Sequence, residues 1–205
     1  MDTQPTPQAR RILDCAQVLI AKGGYNGFSY ADISAEVGIT KASIHHHFPR
    51  KEDLVLTLLM HYRKAAQEGM QALAAQDMGA LACLDAYTQW WAACIAQETM
   101  PICICAMLAA ESPALPATVA DEVQRHFAAL AGWLQEVLER GVAQGELQVP
   151  GDVAAQAQAF MATVHGAMIS ARACRDPRLF AVIAGPLLQQ LTVTDPSQVG
   201  AFHGA

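Results

Sequence analysis

The stretch "SYADISAEVGITKASIHHHF", residues 29–48, allows few folds. Ser29 can cap a helix, with Asp32 three residues on in the position of a capping box. That helix runs to Val37, and Gly38 breaks it. Thr40 can cap a second helix, which must end before Pro49. Two short helices around a Gly-centred turn form a helix-turn-helix. Ala31, Ile33, Val37, Ile39, Ile44 and Phe48 are expected to fill the small core between them. Thr40, Lys41, Ser43 and the histidines then face outward. Short donors and a cation suit a helix laid in the major groove of duplex DNA.

The three consecutive histidines invite a metal reading, and helical geometry argues against it. Adjacent residues on a helix point about 100° apart, so His45, His46 and His47 cannot converge on one ion. No metal is expected here. His45 and His46 are expected to face the phosphate backbone, and His47 to pack beside Phe48 or close the helix end. If either of the first two meets a phosphate, DNA affinity rises as pH falls through the histidine range.

The rest of the chain reads as helix. Apolar positions recur at helical spacing from Gln8 to the "KGGYNG" stop, and again from Arg50 to Ala74. Further helices are expected near 79–97, 101–111, 116–144, 152–174 and 177–192, punctuated by Pro and Gly. No alternating strand pattern is present. With 53% hydrophobic residues and only 6% aromatic ones, an all-α class of about nine helices follows. Net charge is −6, which by itself disfavours a nucleic-acid partner. Its distribution reverses that: residues 1–65 hold 8 Lys/Arg against 6 Asp/Glu, and the remainder 5 against 13. A basic head on an acidic body has two different kinds of partner. Residues 153–171 are uncharged but polar-punctuated, so a buried helix is expected there and no membrane span. The start of the chain has no apolar leader core. Six cysteines without an export signal are expected to be reduced thiols in the cytoplasm.

Residues 9–55, "ARRILDCAQVLIAKGGYNGFSYADISAEVGITKASIHHHFPRKEDLV", resemble the TetR (tetracycline repressor) family of transcription regulators. Ile33, Gly38, Ile39, Thr40, Ile44, His47, Phe48, Lys51 and Leu54 fall in register on the family pattern, and "HF..K..L" after the helix-turn-helix makes it specific. His45 stands where the family usually has Tyr, and Ala42 replaces a common Gly. The resemblance implies a DNA-binding domain over 8–54, with the start of the connecting fourth helix. A ligand-binding and dimerisation domain would span 55–192, with loose tails at 1–7 and 193–205. The expected DNA-facing set is Ser29, Tyr30, Thr40, Lys41, Ala42, Ser43, His45, His46 and Lys51. Ser29 and Tyr30 hold the backbone, and Lys51 joins the amides that open the fourth helix and attract phosphate.

One recognition helix buries too little for selective binding, so two copies are expected on half-sites about 34 Å apart in a pseudo-palindromic operator. The resemblance implies that the last two helices make the homodimer. Met161, Met168, Ala171, Leu179, Ile183 and Leu187 lie on their apolar stripes. The middle helices would surround a pocket for a hydrophobic or aromatic effector, with Trp90, Trp91, Cys94, Cys103, Met107, Phe127, Phe160 and Val164 as lining candidates. "CICAMLAAESPALP" is similar to a segment of an electrophile-sensing branch of the family, with Cys103 on the cysteine position. A thiol-based redox or electrophile-sensing regulator is therefore the alternative. Against it, Cys103 and Cys105 at i and i+2 of a helix diverge, and buried thiols usually act as small hydrophobes. A thiol enzyme lacks a catalytic base, because His126 and His165 read as isolated helical residues. A helical ligand carrier with a vestigial head is the remote remainder. No cofactor is expected, and a repressor released by its ligand is the leading expectation.

Overall fold

A helix leaves its leading amides without partners, and this chain supplies caps at Ser29 and Thr40, as expected, and at Thr6 and Asp152 besides. The computed structural model describes residues 5–76 and 78–192. Among these it is all-α: α1 (Pro7–Gly23), α2 (Tyr30–Val37), α3 (Lys41–His47), α4 (Lys51–Ala74), α5 (Ala80–Ala96), α6 (Ile104–Ala109), α7 (Ala117–Ala143), α8 (Val153–Cys174) and α9 (Arg178–Leu191). Thr6 accepts from the Ala9 amide at 3.2 Å and Pro7 occupies the first turn. Thr6 and Pro7, both within the expected loose segment 1–7, thus belong to the start of α1. Residues 1–4 and the expected tail 193–205 lie outside the described residues. Ser29 and Asp32 close the capping box, with the Ser29 amide and hydroxyl both 2.7 Å from Asp32 Oδ2. These bonds hold the Asp32 carboxyl below its ordinary range. Thr40 Oγ1 accepts from the Ser43 amide at 3.2 Å, and Asp152 caps α8. Gly38 ends α2 at φ 73°, ψ 37°, in the left-handed region.

One expected helix is shorter than its sequence suggested. The segment 101–111 is helical only from Ile104, with Cys103 extended at its N-cap (φ −63°, ψ 122°). Pro101 disfavours helix in the residue before it, and Glu98 already leaves the helical region at φ 55°.

The chain divides into two compact units. The first holds residues up to Gly69 with Met100–Ala129. In it α1 packs on α2 and α6, and α2 on α3. Ile12, Leu13, Ala16 and Ile20 of α1, Ile33 of α2, Ile44 of α3, Phe48, and Leu54, Val55, Leu58 and Leu59 of α4 supply buried apolar groups. Of the six residues expected between the two short helices, Ile33, Ile44 and Phe48 are buried, and Val37 and Ile39 half-buried. Ala31 is exposed, because α2 turns its first face outward. After α1 the chain turns sharply at Gly24 (φ 73°, ψ −166°). A Cβ there would lie 1.6 Å from Glu111 Oε1, the same oxygen that accepts from the Tyr25 amide at 2.9 Å.

The second unit holds Met70–Thr99 and the chain from Leu130. In it α9 packs on both α8 and α5. The residues of the expected dimer stripe lie mostly inside this unit. Met161, Met168, Ala171 and Leu187 are already buried inside the chain, and Leu179 and Ile183 are half-buried. α8 is apolar on more than one face, so periodicity did not tell inward from outward. The large apolar groups left in solvent on these two helices are Ile169 and Val182, 53% and 65% exposed.

Ile44 is fully buried yet sits on a helix of seven residues. Ile44→Ala is expected to lower unfolding stability by about 3 kcal/mol through the cavity it leaves, measured by urea denaturation.

Candidate nucleic-acid interface

The outward face of α3 follows from its anchoring. With Ile44 buried inward, Thr40, Lys41, Ala42, His45 and His46 are exposed, and Ser43 is half-buried. Ser43 Oγ accepts from Gln8 Nε2 at 3.2 Å, tying α3 to α1. Lys41 has no intramolecular partner among the described residues, so its ammonium is open to a phosphate or a base edge. Tyr30 donates from its hydroxyl to the Phe48 carbonyl at 2.8 Å, closing the far end of α3 against α2. Burial, then the negative charge of Asp53, pushes the Tyr30 hydroxyl up to about 12. The His45 ring lies edge-on to Tyr30 at 4.8 Å, with Nδ1 3.1 Å from the Pro49 carbonyl. His47 is half-buried and packs at 6.4 Å from the Phe48 ring.

The other cations of this region are engaged. Arg50 grips Asp53 at 2.7 Å and Glu52 at 3.2 Å. Lys51, expected to join the amides that open α4, is engaged within the chain. Its ammonium donates to the Phe28 carbonyl and sits over the Phe28 ring at 4.0 Å and the Tyr25 ring at 4.9 Å. Burial lowers its pKa, partly offset by Glu111 and Asp32. It is turned inward as a pin between α4 and the turn ahead of α2. A cation near a helix start looks identical in sequence whether it faces phosphate or an internal carbonyl.

Comparison with known proteins bears on this arrangement. Residues 12–58 match the tetR family of bacterial regulatory proteins, and residues 80–184 match the tetracyclin repressor-like C-terminal domain. A TetR-family transcriptional regulator from Agrobacterium tumefaciens is 52% identical, with 93% of this chain and 100% of that chain covered at a TM-score of 0.90. This chain belongs to the TetR family. A TetR regulator from Legionella pneumophila is 26% identical over 94% of this chain and all of that one, with a TM-score of 0.78. The negative transcriptional regulator IcaR of a biofilm operon in Staphylococcus epidermidis is 37% identical over 57 residues. That match spans 28% of this chain and 27% of the relative's length. Membership of a family of transcriptional regulators sets the enzyme alternative aside. No helix among the described residues is long and apolar enough to cross a membrane.

For this TetR-family chain the expected effector-lining residues divide between the two units. Cys103, Met107 and Phe127 belong to the first, and Trp90, Trp91, Cys94, Phe160 and Val164 to the second. Trp90 is 50% exposed while Trp91 is buried, as adjacent residues on one helix must diverge. In the second unit Tyr87 and Trp133 rings meet at 5.5 Å. Trp91 Nε1, Trp133 Nε1 and Arg140 Nη2 are buried there without a hydrogen-bond partner. All three are donors. Trp133 and Arg140 were not singled out in the sequence, because a lone Trp and Arg on a long amphipathic helix carry no signal.

The isolation expected of His126 does not hold. Its Nε2 lies 3.7 Å from Cys103 Sγ, and both residues are buried. Cys103 and Cys105 do not both lie within one helix, so the divergence expected of helical i and i+2 residues does not apply. Cys103 stands at the N-cap with extended backbone, which frees its side chain to approach Cys105. Burial, then Cys103, raises the Cys105 thiol well above its ordinary value. Cys103 is 1% exposed, whereas reactive cysteines need access.

Tyr30→Phe removes the bond to Phe48 and keeps the ring against His45. The expected loss is about 1 kcal/mol of stability by urea titration.

Proposed function

We propose that the chain is a homodimeric transcriptional repressor. Its α3 enters the major groove of a pseudo-palindromic operator, and a small-molecule effector releases it. The observation that carries this is the open face of α3. Thr40, Lys41, Ala42 and His46 are exposed over a buried Ile44, in a head that belongs to a family of DNA-binding regulators. Lys41 supplies the direct cation, while Ser29, Tyr30 and Lys51 support it from behind. His45 and His46, exposed on the same helix, add contacts to the phosphate backbone. The DNA head comprises residues 8–54 and the effector and dimer body residues 55–192, in the cytoplasm. Ile169 and Val182 offer the apolar groups that a second copy would cover on α8 and α9. The unpaired donors of Trp91, Trp133 and Arg140 suit an aromatic or hydrophobic effector that also carries an acceptor such as a carboxylate. α4 contributes residues to both units. It is the element through which effector and DNA would favour different arrangements of the heads, with a coupling of about 1–3 kcal/mol.

The decisive measurement is fluorescence anisotropy with the DNA upstream of the chain's own gene, across a range of salt. Lys41→Ala is expected to weaken binding and reduce the salt slope by about one counterion. Lys51→Met is expected to lower head stability and leave that slope unchanged. Equal slopes for wild type and Lys41→Ala would remove α3 from the groove. Val182→Asp is expected to convert a dimer into a folded monomer by sedimentation, and to cost operator affinity with it.

A further inference from the structure

Three ligand-bearing side chains that the DNA-binding scheme does not use converge inside the first unit. Cys103 Sγ, Cys105 Sγ and a His126 ring nitrogen all lie within 4.8 Å of one another, and all three residues are buried. They come from two separate stretches: the N-cap and first turn of α6, and the middle of α7. The histidine presents Nε2 to the Cys103 sulfur at 3.7 Å. Bond lengths of about 2.3 Å to sulfur and about 2.0 Å to nitrogen, opened to a trigonal angle, would hold those two atoms about 3.7 Å apart. An ion therefore fits between them with little movement.

The chemistry of the donor set selects among ions. Two thiolates and an imidazole are soft ligands, which favour monovalent copper, zinc or iron–sulfur clusters. Zinc demands a fourth ligand, from protein or water. Among the described residues no further His, Cys, Asp or Glu joins the cluster, and its burial closes it to water. A d¹⁰ monovalent ion is satisfied with three ligands. The buried Glu122 lies one turn before His126 and is held by Arg63 at 2.6 Å and Arg125 at 3.1 Å, so its carboxylate is already engaged.

We infer that Cys103, Cys105 and His126 form a closed three-coordinate site for a monovalent copper ion. On binding, two S–H bonds are lost and their protons leave to solvent. Two copper–sulfur bonds and one copper–nitrogen bond form. The ion enters and stays monovalent, so no electron is transferred. The site lies on α6, which packs against α1. Occupancy at the site stands apart from the DNA-binding proposal, because it is read from metal stoichiometry alone.

The test uses the reduced full-length protein under anaerobic conditions, titrated with Cu(I) supplied as its bicinchoninate complex. One ion per chain is expected to leave the competitor, with X-ray absorption showing two sulfur neighbours and one nitrogen. Cys103→Ala and Cys105→Ala are each expected to lose retention of the ion, while Cys94→Ala and Cys174→Ala keep it. No transfer of copper would overturn the site, as would equal retention by the Cys103→Ala/Cys105→Ala double variant. So would a nitrogen-only spectrum, which would assign the ion to the exposed histidines of α3. Preference for Zn(II) over Cu(I) in direct competition would overturn the choice of ion. Should the alanine variants fail to fold, the absorption spectrum of the wild type decides by itself.

Discussion

A helix of seven residues does not hold itself together in water, because nucleation costs more than so few hydrogen bonds return. Everything that α3 presents on its outer face depends on what fixes it from outside. Ile44 and Phe48 are buried beneath it, Gln8 reaches Ser43 from α1, and the Tyr30 hydroxyl closes its far end on the Phe48 carbonyl. Lys51 then pins the start of α4 to the Phe28 carbonyl. The exposed face is thus a by-product of the buried one. Side chains on α1, α2 and α4 decide the pitch at which Lys41 is presented.

Glu111 extends the same bracing from a distant stretch. Its carboxylate accepts from the Tyr25 amide and from Asn26 Nδ2, so the segment after α6 clasps the turn after α1. The first unit therefore includes Met100–Ala129 as well as the head. Cys103, Cys105 and His126 lie in that same added segment. A change of packing around α6 has a short path to α1 through direct contact and to the turn through Glu111.

Local chemistry was legible in the sequence. Ser29 with Asp32, Thr40 and Gly38 are signals carried by single residues and their immediate neighbours, and each sits in the structure where the sequence placed it. The all-α class followed from composition and spacing. What the sequence did not disclose depends on direction or on separation. α8 is apolar around most of its circumference, so Met161 and Met168 could not be assigned to the inside nor Ile169 to the outside. Lys51 reads as a surface cation because the carbonyl that receives it belongs to Phe28. The pairing of Cys103 with His126 crosses from one helix to another. It also required α6 to begin three residues later than its apolar pattern suggested.

Gly24 shows how tightly such a head is bound to its own wording. Its backbone occupies a region reserved almost wholly for glycine, and the Glu111 carboxylate fills the space where a Cβ would stand. Shortening residue 111 would relieve the second restriction and leave the first, while relaxing the turn would relieve the first and leave the second. No single substitution opens position 24 to another amino acid. Residues on the exposed outer face of α3 meet no such double restriction, but the turn behind them is closed to one-step change.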